Sequence, residues 1–163
     1  MALKTHPSLP EAANDPALAP ALDFKIADAA RRARRHAVAA IYHAGSGHPG
    51  GALSCMDILS CLYGAELNVW PGAMDDPARD RFVLSKGHAA PALYATAAVY
   101  GFCDARAALS LRKLGSPFQG HPHVRELAFA ETSTGSLGQG FSAALGMALG
   151  LRLQKNPARV YAL

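Results

Sequence analysis

The stretch Thr134-Gly135-Ser136-Leu137-Gly138-Gln139-Gly140, with Arg159-Val160-Tyr161-Ala162-Leu163 beyond it, decides the fold. The first run places glycines at the start of a helix predicted to reach about Lys155. Asn156-Pro157 breaks that helix, because proline lacks the N–H and restricts the residue before it. Residues 159–163 then read as the start of a buried strand. Working back, Arg81-Phe82-Val83-Leu84 is a second short strand candidate, followed by Ser85-Lys86-Gly87-His88 and a helix. Strands that alternate with helices predict part of an α/β layered domain. Two short strands fall below the ~3 that a stable sheet needs, so the layer is expected to be incomplete in this chain.

The composition fits. At 163 residues the chain is about one domain. Half the residues are hydrophobic and 17% are charged, which excludes wholesale disorder. No apolar run approaches the ~20 residues of a membrane span. Alanine supplies 34 residues and aromatics only 7%, favouring close-packed helices over a β-sandwich. Cys55, Cys61 and Cys103 are odd in number and form no C-x-x-C, so a disulfide framework is excluded and a reducing cytoplasm is the expected location. The N-terminus has no apolar signal core, and its first 22 residues contain no arginine, which argues against a transit peptide.

The net charge of +4 comes from Arg31, Arg32, Arg34 and Arg35; without them the chain is balanced. They lie on a helix predicted from Asp23 to about His43. At about 100° per residue, Ile26, Ala29, Ala30, Ala33, Ala37, Ala40 and Ile41 share one arc and the arginines take the other. The basic cluster is a solvated helix face, and no nucleic-acid partner is expected.

Residues 1–22, rich in proline and alanine, are predicted to be a loosely ordered arm. Residues 44–51 carry four glycines and a proline and are predicted to be irregular. A second helix should start at Ser54 as N-cap, with Asp57 three residues on, and stop at Gly64. A third covers about Ala89–Tyr100, ending at Gly101; a fourth runs from Asp104 to Gly115. Loop follows to about Ser133. In the last helix Ser142, Gly146 and Gly150 recur every four residues, a small-residue stripe that admits a second backbone.

Three loops share one design: Gly47-His48, Gly87-His88 and Gly120-His121. Glycine lets the backbone approach a ligand closely, and histidine adds a donor or acceptor that switches near neutral pH. A lone Gly-His is ordinarily a turn; three of them, together with Gly135–Gly140 at a helix N-terminus that favours anions, point to a phosphorylated or hydroxylated small molecule. Competing motifs fail. His121, His123, Cys55 and Cys61 match no zinc spacing, Ser85-Lys86 lacks the P-loop frame, and no nucleophile triad is defined by order alone.

Together, Gly45-Ser46-Gly47-His48-Pro49-Gly50-Gly51, Leu84-Ser85-Lys86-Gly87-His88-Ala89, Gly120-His121-Pro122 and Thr134-Gly135-Ser136-Leu137-Gly138-Gln139-Gly140 resemble the N-terminal, diphosphate-binding half of transketolases. The resemblance covers roughly residues 23–163, and its form is that of transketolases split into separate N- and C-terminal subunits. It implies the first part of a thiamine diphosphate-binding fold, a parallel sheet with helices on both faces. It places His88 beside the diphosphate of the cofactor. Gly135 (through its backbone), Ser136 and Leu137 would line the thiamine. His48 and His121 would face the sugar and hydrogen-bond its hydroxyls near the carbonyl end. Imidazoles so placed can steady the oxygen charge that develops as a C–C bond breaks beside a carbonyl.

The resemblance also implies what must come from elsewhere. The family's Gly-Asp-Gly and the later Asn that hold a magnesium ion would follow Leu163, and the glutamate that activates the cofactor lies in a different domain. Partner chains are therefore expected to complete the site. Position 123 is His where an acidic residue commonly follows Gly-His-Pro, a departure bearing on substrate preference. The expected function is transfer of a two-carbon ketol unit from a ketose to an aldose, either being a phosphate, by a component inactive alone. A non-catalytic or regulatory transketolase-like fragment, or a component of another thiamine diphosphate enzyme, remains open on the residues.

Overall fold

Alanine at every third or fourth position lets α1 (Ala19–Ala44) lie close to its neighbours. Ala29, Ala33, Ala37 and Ala40 are buried, while Arg31, Arg32 and Arg35 face outward, as their arc predicts. In this computed structural model, residues 19–163 are described. The arm predicted over 1–22 therefore lies outside the described residues as far as 18, and residues 19–22 are already helical.

The main partner of α1 is α4 (Ala90–Val99), nine of whose ten residues are buried. A helix apolar on every side belongs in a core. It follows β1 (Arg81–Val83) and a 3₁₀ turn over Gly87–Ala89, and Gly101, at φ +83°, closes the segment as predicted. β2 (Val160–Ala162) pairs with β1 in parallel, Phe82 opposite Tyr161. The intervening chain includes α4 and α5 (Gln139–Leu153), so the two strands form one parallel crossover unit of an α/β fold.

Three sequence expectations are corrected. The glycine-rich stretch is not irregular throughout: Pro49 starts a short helix, α2 (Pro49–Leu53), because its fixed φ suits the first helical position. Ser54 accordingly ends α2 rather than capping the next helix, and α3 (Met56–Cys61) begins after Cys55. Asp57 does not close a capping box but pairs with Arg34 of α1. Gly64 is not a stop. It lies inside a π turn (Leu62–Glu66), where a Cβ would come within 2.7 Å of the Tyr100 hydroxyl and 3.1 Å of Ile26 Cγ1. Its smallness serves close packing.

The predicted fourth helix is only a 3₁₀ segment, Ala107–Ser110. Asp104 does cap it, its Oδ1 accepting from the Arg106 and Ala107 N–H groups at 2.7 and 2.8 Å. The chain then leaves helical geometry to bury Leu111, and Arg112 turns left-handed at φ +60°. α5 ends at Leu153, two residues short of expectation. Its Phe141, Leu145, Leu149 and Leu153 are each more than half exposed, and nothing lies within 4 Å of a Cβ placed on Gly146 or Gly150. Among the described residues no helix is long and apolar enough to cross a membrane.

Candidate functional site

The end of β1 organises the site. Ser85–His88 leave its carboxyl end, the edge of a parallel sheet where ligands of α/β folds bind. Two glycines press the 134–140 loop onto this turn. A Cβ on Gly87 would lie 2.7 Å from the Thr134 carbonyl group, and one on Gly140 would lie 2.6 Å from Ser85 Cα. Both obstacles are backbone, so neither can step aside cheaply. Gly140→Ala is expected to destabilise the protein in its native assembly by roughly 1–3 kcal/mol, the usual range for overpacking. A thermal unfolding midpoint equal to that of the unaltered protein would contradict the contact.

The three predicted histidines converge. His48 is the N-cap residue of α2, His88 sits in the 3₁₀ turn, and His121 lies in the loop before α5. The His88 ring is central, meeting His48 edge-on at 5.0 Å and His121 edge-on at 4.6 Å between centroids. Gly135 backs the third ring, since a Cβ there would lie 3.2 Å from His121 Cδ2. Ser136 and Leu137, also predicted to line the site, stand on its rim, Leu137 being 70% exposed. Among the described residues, His88 Nδ1, His121 Nε2 and Thr134 Oγ1 are buried polar atoms with no hydrogen-bond partner. Buried polar atoms are ordinarily paired, so three orphans in one cluster mark a place built for a ligand.

Burial pushes the His121 imidazole below its ordinary pKa, and the neighbouring His88, Arg112 and His48 charges push the same way. Near pH 7 it is held neutral, so one ring nitrogen donates and the other accepts.

Residues that carry no sequence signal complete the arrangement. Lys86 Nζ donates to the Gly51 carbonyl and Ser54 Oγ, both at 3.4 Å, tying α2 to the β1 turn. Arg112 Nη1 donates to Ser46 Oγ at 3.2 Å. Thr134 covers Gly87. These contacts join segments distant in the chain, which local pattern does not reveal. A lysine beside the second Gly-His was the one available hint. Among the described residues, no group of three histidine, cysteine or acidic side chains is arranged to hold a metal ion.

Residues 25–161 match the family described as transketolase, thiamine diphosphate binding domain. The chain is 40% identical over 130 residues to one of the apulose-4-phosphate transketolase subunits, that of Phocaeicola vulgatus, covering 80% of this chain and 46% of that one. It is 45% identical over 137 residues to human transketolase, covering 83% of this chain and 22% of the relative. The crystal structure of a Pichia stipitis transketolase with sedoheptulose-7-phosphate superposes with a TM-score of 0.76 at 32% identity, over 83% of this chain and 21% of that chain. The chain thus spans less than half the length of the Phocaeicola relative and about a fifth of the human and Pichia proteins.

Proposed function

The chain belongs to the transketolase family, within its thiamine diphosphate-binding domain, and on that premise we propose that it works as the first segment of a composite enzyme. That enzyme transfers a two-carbon ketol unit from a ketose, or its phosphate, to an aldose. The observation that carries this reading is the convergence of His48, His88 and His121 on the Gly135 loop, with the His88 and His121 nitrogens unpartnered.

The residues present fit the cofactor. His88 Nδ1 is free to bond an anionic oxygen. The absent Cβ at Gly135 leaves backbone open to a flat ring, and the N-terminus of α5 favours negative charge. Thiamine diphosphate, when bound, supplies the electron sink that lets a C–C bond beside a carbonyl break. His48 and His121 then hydrogen-bond the sugar near its carbonyl end. Neutral His121 can take a hydroxyl proton and return it, and His88 keeps the diphosphate oriented. The described residues hold no metal set, so a magnesium ion on the diphosphate would draw its ligands from a partner chain.

That partner also has a docking face. Phe141, Leu145, Leu149 and Leu153 recur every four residues on one side of α5 beside the uncovered Ser142–Gly146–Gly150 stripe. The proposed occupant is the polypeptide carrying the rest of the transketolase fold, of which this chain spans about a fifth. The Phocaeicola relative, named as one of several subunits, supports assembly from separate chains, and three free cysteines suit a cytoplasmic site.

The test is co-expression with a chain bearing the remaining segments. A stable complex that binds thiamine diphosphate and transfers ketol units is expected, whereas the chain alone is expected to aggregate and to lack activity. Leu145→Asp with Leu149→Asp should abolish co-purification. A monodisperse monomer active without a partner, or a double variant that still assembles, would defeat the proposal.

A further inference from the structure

We propose that Arg112 is a positioning residue of the sugar-handling histidines, its guanidinium tying the loop of His48 to the loop of His121 and holding a fixed positive charge beside both. The inference rests on the functional reading above and assigns a role to a residue outside the histidine and cofactor motifs.

Four observations carry it. First, Arg112 occupies the left-handed region at φ +60°, and the other described non-glycine residue with positive φ, Lys155, merely closes α5. A non-glycine residue rarely holds this conformation unless its surroundings over-determine it. Here they do: Leu111 is buried on one side, and the Arg112 N–H donates to the Phe118 carbonyl at 2.8 Å on the other. Second, the guanidinium lies over Gly120. A Cβ on Gly120 would sit 2.8 Å from Nε, 3.0 Å from Nη2 and 3.1 Å from Cζ, so glycine before His121 makes room for this group. Third, Nη1 donates to Ser46 Oγ at 3.2 Å, two residues before His48. One side chain thus spans both sugar-facing loops. Fourth, the residue is otherwise solvent-exposed, with guanidinium donors left over for a ligand oxygen.

The charge has a second consequence. The titratable and charged groups acting on His121 are His88, Arg112 and His48, and all three disfavour its protonated form. Among them only Arg112 is charged at every working pH. It therefore keeps His121 neutral independently of the protonation of its two neighbours.

The experiment uses the assembled complex, with ¹³C-labelled histidine in this chain and His121 assigned by the loss of its signal in His121→Asn. Arg112→Gln removes the cation, so the His121 titration midpoint should rise. The acidic limb of the kcat/KM profile should move to higher pH with it, and kcat/KM at neutral pH should fall roughly tenfold. Arg112→Lys, which keeps the charge but loses the planar fork, should leave the midpoint near that of the unaltered protein while KM for the sugar rises. Gly120→Ala, which displaces the guanidinium without deleting it, should act in the same direction as Arg112→Gln. An unmoved His121 midpoint in Arg112→Gln overturns the proposal whether or not activity changes. Equal midpoint changes in the glutamine and lysine variants overturn it too, since the charge would not be the cause. If the unaltered complex transfers no ketol unit but the midpoint moves as stated, the functional reading fails and the electrostatic role of Arg112 stands.

Discussion

Replacing His121 by alanine in the assembled enzyme is expected to lower kcat/KM for the ketose donor by roughly 10²–10⁴-fold, the range of a lost acid–base group. Thiamine diphosphate affinity should change little. The separation follows from the geometry. His121 is backed by Gly135 and edged by His88, and its unpaired nitrogen is Nε2, at the tip of the ring. Its loss removes a sugar contact without opening the turn at the end of β1. His88→Ala should give the opposite split. The central ring of the cluster and its free Nδ1 would be lost, so cofactor affinity falls first and the sugar KM measured at saturating cofactor moves less. Calorimetric titration with thiamine diphosphate, together with steady-state kinetics at saturating cofactor, resolves the two effects. If both variants lose cofactor and sugar binding in equal proportion, or neither loses anything, the division of labour among the histidines is wrong.

The parts of this site visible in the sequence are those encoded by short-range pattern. The alanine arc and arginine arc of α1 follow from helical periodicity, and the structure buries the one and exposes the other. The three Gly-His pairs and the Gly135–Gly140 run announce backbone approach, and the fold brings the histidine rings within 4.6–5.0 Å of their neighbours. Helix boundaries were less legible where tertiary contacts outweigh local preference. Ser54 has the chemistry of an N-cap, but Pro49 starts the helix earlier. Gly64 has the composition of a stop but is demanded by the Tyr100 hydroxyl and Ile26 packed against it. Asp104 caps a helix that the burial of Leu111 cuts short. Least legible were contacts whose members are far apart in sequence. Arg112 meets Ser46 across 66 residues, and Arg79 meets Glu131 across 52. Nothing local to either arginine separates it from those that merely face solvent.

That second pair should produce the largest stability effect in the chain. Arg79 and Glu131 form a two-pronged ion pair in which the side chains are only 8% and 11% exposed. Arg81, 17% exposed, approaches the same carboxylate at 3.6 Å. Burial, and then the charge of Arg79, already pull the Arg81 guanidinium below its ordinary pKa. Glu131→Ala would leave two buried cations facing each other without their anion. Breaking a buried pair from one side costs about 3–5 kcal/mol, mostly because the survivor stays desolvated. Arg79 keeps hydrogen bonds to the Met74 and Asp80 carbonyls, which places the expected loss near the lower end, about 3 kcal/mol. Urea denaturation of the assembled complex measures it. The double variant Arg79→Met with Glu131→Leu removes both charges and should recover most of the loss, because an apolar replacement of similar volume has no desolvated charge to carry. A single variant as stable as the unaltered complex, or a double variant no better than the single, would mean that the pair does not anchor this region. The anchor matters for function because Glu131 stands four residues before Gly135 and Arg79 two before β1. The pair fastens the approach to the cofactor loop to the strand that presents His88. Loss of Glu131 should therefore weaken thiamine diphosphate binding even though the side chain touches neither the cofactor nor the sugar.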